Sequence, residues 1–210
     1  MTHLYLIRHG SYLEDDGNPI LNPALSADGI AQVERLRTRL SATSEIKADV
    51  LISSPLKRAR ETADIIAPAL GLPVTIDPDM EEWRSEHESV KPDDVMAAFR
   101  TTPAEQRPFF VPYPGGETWA QFVFRACNGL NRITEAYNGK NIVIVGHGGI
   151  IQSSFIFFFG HTMLRIPTTA MDAGYSSITH WEKISVNGNE RWLLERHNDT
   201  AHLQPWAKFA

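Results

Sequence analysis

The chain has 210 residues, 42% of them hydrophobic and 21% charged, a composition that excludes intrinsic disorder and suffices for a sizeable buried core. Its formal charge of -5 argues against a general polyanion binder, because nucleic-acid-binding domains carry a basic excess. The longest apolar runs, Asn141 to Ile151 and Phe155 to Phe159, fall short of the ~20 residues that span a bilayer, so no transmembrane helix and no membrane partner are expected.

Thr2 to Ile7 reads as a short buried strand ending at Arg8-His9, with a turn at Gly10 and a polar stretch through Asn18-Pro19. This start has neither the basic nor the apolar region of a secretory signal, which reads as a cytoplasmic chain. Ser26 is placed to cap a helix whose stripe is Ile30, Val33, Leu36 and Leu40, with Leu25 and Ile30 as a hydrophobic staple. Val50-Leu51-Ile52 is a second strand. Ser54-Pro55 reads as the cap and first residue of the next helix, which puts Arg58 in its first turn and ends near Pro68 and Gly71. Leu72 to Ile76 is a third strand, and Met80 to Trp83 follow its end.

From Arg84 to Glu117 the pattern breaks into charges and prolines with one short helix near Pro92 to Arg100, so this stretch is expected to be an insertion lying over the site. Trp119, Phe122, Val123, Ala126, Leu130, Ile133 and Tyr137 recur at helical spacing. Cys127 borders that stripe as a small buried hydrophobe. As the only cysteine it excludes an intrachain disulfide and a cysteine-based zinc cluster. Ile142 to Val145 is a fully buried strand that stops at Gly146-His147-Gly148 before an apolar helix. Ser177 to Ile184 and Arg191 to Arg196 flank Asn187-Gly188 as a β-hairpin. The expected fold is therefore an α/β three-layer sandwich: a mostly parallel central sheet, a C-terminal β-hairpin at its edge and a lid-like insertion, forming one domain over residues 1–210 with the insertion at 84–117.

Arg8-His9-Gly10, Arg58, Glu81-Glu82 and Gly146-His147-Gly148 all fall where a strand ends, and in open α/β sheets the ligand crevice lies outside the carboxyl ends of the strands. Taken singly, each has an ordinary reading as a surface pair, a tight turn or a solvated charge run. Together they converge. Two arginines, two histidines and two helix N-termini suit a tetrahedral dianion, because guanidinium forks match phosphate oxygens and helix N–H groups favour negative charge. No His-Glu-x-x-His zinc motif, Gly-x-Ser-x-Gly elbow or Walker A loop competes with that reading.

Several motifs in one order resemble the histidine phosphatase superfamily, the phosphoglycerate-mutase-like fold. They are Arg8-His9-Gly10; Leu25-Ser26 with Gly29 and Gln32; Ser54-Pro55-Leu56-Lys57-Arg58-Ala59 with Thr62-Ala63; Pro114-Gly115-Gly116-Glu117; and Gly146-His147-Gly148. The tail Asn198-Asp199-Thr200-Ala201-His202-Leu203 is similar to the tails of some members. The resemblance implies that His9 is a nucleophile that becomes phosphohistidine, that Arg8, Arg58, His147 and Gly148 hold the phosphoryl group, and that a carboxylic acid protonates the leaving oxygen. Glu82, the third residue of the Leu-x-Glu-like run beginning at Met80, is preferred over Glu81 for that acid. The chain departs from the family after Gly10, where Ser11-Tyr12-Leu13-Glu14 replaces the usual residues and leaves Asn22 as a loose candidate for an asparagine contact to phosphate. The implied function is metal-independent hydrolysis of a phosphate ester without a cofactor. A mutase-type phosphoryl transferase and a catalytically silent phospho-ligand module remain as alternatives.

Overall fold

Side chains alternate across a strand, so a strand buried on both faces feeds two cores at once. In the computed structural model, which describes residues 1–13, 22–84, 87, 90–169 and 171–204, β1 (Thr2–Arg8) and β4 (Asn141–Gly146) do this. Leu4, Leu6, Ile142 and Ile144 join one core, while Tyr5, Ile7, Val143 and Val145 join the other. The first core is completed by α4 (Trp119–Ala136) and α5 (Gly148–Phe158), the second by α1 (Ala27–Thr43) and α2 (Lys57–Leu70). The Asn18-Pro19 stretch and Glu14 lie outside the described residues.

Adding β2 (Val50–Ser53), β3 (Val74–Ile76), β5 (Ile178–Val186) and β6 (Asn189–Asp199) gives a sheet in the order β3-β2-β4-β1-β5-β6. The pairs among β3, β2, β4 and β1 are parallel, and β5 and β6 add antiparallel to the β1 edge. Asn187 and Gly188 turn that hairpin with φ of 52° and 79°, the left-handed pair a two-residue turn requires. The architecture is the expected helix–sheet–helix sandwich. Among the described residues between β3 and α4, a 3-10 turn at Pro78–Met80 precedes one helix, α3 (Pro92–Thr101), and a second 3-10 turn at Arg107–Phe109 follows it. Among the described residues no helix is long and apolar enough to cross a membrane.

Two local expectations need correction. Ser26 does cap α1, its hydroxyl accepting the Gly29 N–H at 3.0 Å, but Ile30 faces outward at 46% exposure and is not part of the buried stripe. The buried face is Gly29, Val33, Leu36 and Leu40. Gly29 takes the inward position because the Ser11 carbonyl lies against it, only 1.8 Å from where a Cβ would stand. In addition, α2 begins at Lys57 with Leu56 as its extended flanking residue, not at Ser54-Pro55. Ser54 is recruited by the neighbouring strand end instead, as described below.

Candidate active site

The sheet register sets the site. Arg8 pairs with Gly146 and Ser53 with Val145, so β1, β4 and β2 finish at one level. The chain then holds that level for another residue, with the His9 N–H donating to Gly146 O at 2.9 Å and the Ser54 N–H to Val145 O at 3.0 Å. The loop after β1 is held by the residues that resemble family motifs. Ser26 N–H donates to Ser11 O at 3.0 Å, Ser11 N–H to Gln32 Oε1 at 2.9 Å and Gly10 N–H to Thr62 Oγ1 at 3.1 Å. The Thr62 hydroxyl in turn donates to Arg58 O at 2.8 Å, tying the first loop to the turn of α2 that carries Arg58.

Arg8, His9, Arg58 and His147 come together here. The His9 and His147 ring centroids are 5.0 Å apart, and Arg58 Nε–H donates to His9 Nε2 at 3.2 Å. His9 Nδ1 lies 2.7 Å from Gly10 O, an atom that can only accept, so Nδ1 carries the ring proton and Nε2 keeps its lone pair. His9 is 3% exposed, and burial, followed by the charges of Arg58 and Arg8 against the opposing Gly10 bond, depresses its pKa from 6.5 to about 3. Dehydration therefore contributes more to keeping the imidazole neutral than the arginines do. His147, wholly buried, is depressed well below 6.5, first by burial and then by the charges of His9, Arg58 and Arg8.

Among the described residues, Arg8 Nε and His147 Nδ1 are buried without a hydrogen-bond partner. His147 Nε2 lies 2.8 Å from Ser54 Oγ, while that oxygen also accepts the Leu56 N–H at 3.2 Å. Arg8 donates through Nη1 to Ala173 O, and its guanidinium lies 4.2 Å from the Tyr175 ring centroid. A Cβ at Gly148 would stand 3.8 Å from Arg8 Nε, which puts the first backbone units of α5 beside the guanidinium.

Glu82 meets the first turn of α5. Its Oε2 accepts the Gly149 N–H at 3.0 Å and its Oε1 the Trp83 N–H at 2.9 Å. Glu81 instead pairs with Arg84, Oε2 accepting Nε–H at 2.8 Å. The Glu82 segment is gripped by Arg125 of α4, which donates to the carbonyls of Asp79 and Glu81 at 2.9 Å and of Glu82 at 3.2 Å. Arg125 is itself held by a two-point ion pair with Glu117, 2.8 Å in each arm. Asn22 Oδ1 accepts the Lys57 N–H at 2.6 Å, which sets this residue against the first turn of α2, one position before Arg58.

Sequence reasoning missed Tyr12 and Tyr175, whose rings lie 5.5 and 5.7 Å from His9, and Arg125. Tyr12 followed a motif closely enough to be suspected. Nothing local marks Tyr175, and Arg125 reads as a solvated helix charge. Among the described residues no group of three or more His, Cys, Asp or Glu is arranged to hold a metal ion.

Comparison with known proteins gives one answer. The profile of the histidine phosphatase superfamily, branch 1, matches residues 4–200. The uncharacterised phosphatase PhoE of Bacillus subtilis is 28% identical, covering 99% of this chain and 100% of its own length. The metal-independent phosphoserine phosphatase of Arabidopsis thaliana is 26% identical, covering 97% and 84% respectively. Among solved structures, a mutant phosphoserine phosphatase from Entamoeba histolytica in complex with phosphoserine aligns with a TM-score of 0.70 at 23% identity, over 97% of this chain and 100% of that one.

Proposed function

The chain belongs to the histidine phosphatase superfamily, and from that premise we propose that it is a metal-independent phosphomonoesterase acting on a small phosphate ester through a phosphohistidine at His9. The observation that carries this reading is the buried, neutral His9, its proton fixed on Nδ1 by Gly10 O, its Nε2 3.2 Å from Arg58 Nε and its ring 5.0 Å from that of His147. In the first step Nε2 attacks phosphorus as the ester P–O bond breaks, and Glu82 as the acid gives its proton to the departing oxygen. In the second, water attacks phosphorus, Glu82 takes the water proton, and the N–P bond breaks with its electron pair returning to Nε2. Phosphoryl transfer needs positioning and charge neutralisation more than covalent assistance, and two guanidinium groups with an imidazole supply both.

The orphaned Arg8 Nε and His147 Nδ1 are the donors that phosphoryl oxygens would satisfy. Ser54, with its oxygen already accepting the Leu56 N–H, can donate its own proton to His147 Nε2, the arrangement that makes Nδ1 the donor. Glu82 is favoured over Glu81 because Glu81 is committed to Arg84. Residues 84–117 are read as an insertion shaping the leaving-group side. Its two ends are joined beside Glu82 by Trp83 Nε1–H donating to Glu117 O at 2.8 Å and Arg84 N–H to Glu117 Oε2 at 3.2 Å. The relatives named above as phosphoserine phosphatases place phosphorylated amino acids first in a substrate panel. Phosphate release by the purified chain in excess chelator, absent from His9→Ala, tests the proposal; activity that needs an added divalent cation overturns it.

A further inference from the structure

The chemistry proposed above uses none of the C-terminal motif Asn198 to Leu203, yet that tail holds the loop that touches Arg8 and His9. Asn198, at φ 54°, accepts the Gly174 N–H on Oδ1 at 2.7 Å. His202 Nε2 lies 2.9 Å from Ser176 Oγ. The tail is itself anchored on α1, since Asp199 accepts both arms of the Arg39 guanidinium at 3.0 and 2.7 Å, and its Oδ1 also accepts the Ala201 N–H at 3.0 Å.

The loop so gripped, residues 173–177, meets the site at each of several points. Ala173 O accepts Arg8 Nη1–H, the Tyr175 ring underlies the Arg8 guanidinium, Ser176 N–H donates to His9 O at 3.2 Å and Ser177 O accepts the Arg8 N–H at 3.1 Å. Ser176 is fully buried at φ 56°, a left-handed conformation that a non-glycine residue keeps only where its surroundings hold it. The contact from His202 is to that residue's hydroxyl, and the contact from Asn198 is to the backbone two residues earlier. An anion ligand must be held to within a fraction of an ångström, and Arg8 owes its orientation to this loop.

We propose that Asn198 and His202 are positioning residues: they clamp loop 173–177, and through Ala173 O and Tyr175 they hold the Arg8 guanidinium in the pose that binds the phosphoryl group. This rests on the reading of Arg8 as a phosphoryl ligand.

The test uses the full chain and two readouts, binding of inorganic vanadate and kcat/KM. Asn198→Ala and His202→Ala should each weaken vanadate binding and lower kcat/KM by roughly 10-fold to 100-fold, the scale set by an ångström of misplacement. Asn198→Asp and His202→Gln, which keep a group able to make the same bond, should recover most of the loss. In an Arg8→Ala background the tail substitutions should have no further effect on vanadate binding. Equal losses with and without Arg8 would mean that the tail supports the fold in general, which overturns the proposal. If an alanine variant fails to fold, the conservative variant of that residue carries the same cycle with Arg8→Ala, and additivity there overturns it equally. Vanadate binding that ignores Arg8→Ala would instead strike down the reading of Arg8, with the loss of activity in His9→Ala still deciding the covalent mechanism.

Discussion

Gly149→Ala adds one methyl group and removes nothing, which makes it a sharp probe of Glu82. The new Cβ would stand 2.1 Å from Glu82 Oε1, 3.0 Å from its Cδ and 2.8 Å from Phe122 Cζ. To restore ordinary contact the carboxylate must retreat by about 1.3 Å, beyond the roughly 0.5 Å within which a catalytic group stays productive. The fold should tolerate the change. Alanine in a helix gains about 1 kcal/mol over glycine, against about 1–3 kcal/mol for crowding Phe122. The expected loss is therefore catalytic and confined to the step that needs an acid. Alkyl phosphates leave as strongly basic alkoxides, whereas p-nitrophenolate departs unaided, so kcat/KM should fall about 100-fold for the alkyl ester and only slightly for the aryl ester. Glu82→Gln should show the same pattern, with about 100-fold to 10,000-fold on the alkyl ester, and the double variant should be no worse than Glu82→Gln alone. Equal losses on both esters would refute the reasoning. A leaving-group dependence in Glu81→Gln with none in Glu82→Gln would transfer the acid role to Glu81.

Arg58→Ala removes the charge-assisted partner of His9 Nε2, and kcat/KM should drop by about 100-fold to 1,000-fold, measured on the aryl ester so that acid catalysis does not enter. Because the folded pKa of His9 is depressed from 6.5 to about 3, the unfolded chain binds a proton at pH 5 that the folded chain does not. Stability is thus complete above the unfolded pKa and is lost as pH falls through the window toward 3, His9 alone accounting for about 2 kcal/mol at pH 5. His147, His180 and His202, each depressed mainly by burial, act in the same direction. Denaturant unfolding at pH 7 and pH 5 should show a smaller acid loss in His9→Gln than in the parent; an identical loss contradicts a depressed His9. Nitrogen NMR of His9 should show a protonated Nδ1 and a bare Nε2 down to pH 5; a bare Nδ1 would contradict the assignment from Gly10 O, and a doubly protonated ring at pH 5 would contradict the depressed pKa.

Much of the fold was legible because local pattern and tertiary need agree in it. The β-branched run of β4, buried on both faces, and the Asn187-Gly188 turn admit few other structures, and Cys127 is buried as its place beside the α4 stripe implied, with burial raising its thiol to about 11. Errors arose where a partner distant in sequence outbid a local rule. Ser54 has the form of a helix cap, but the His147 imidazole claims it and α2 starts later. Ile30 continues an apolar stripe, but the close approach of Ser11 requires Gly29 on the inner face. The convergence of the residues at strand ends was legible because topology alone assembles them. Tyr175 and Arg125 were not, since one belongs to a loop without periodicity and the other looks like any helix-surface arginine until Glu117 and the carbonyls of Asp79 to Glu82 surround it.

The central claim is covalent, and acid-quenched turnover tests it most directly. Purified chain mixed with a labelled phosphomonoester and stopped within a turnover should carry a phosphoryl group that is labile in acid, stable in base and located on His9 by peptide mass analysis, with none in His9→Ala. Label on any other residue, or full turnover by His9→Ala, would contradict it.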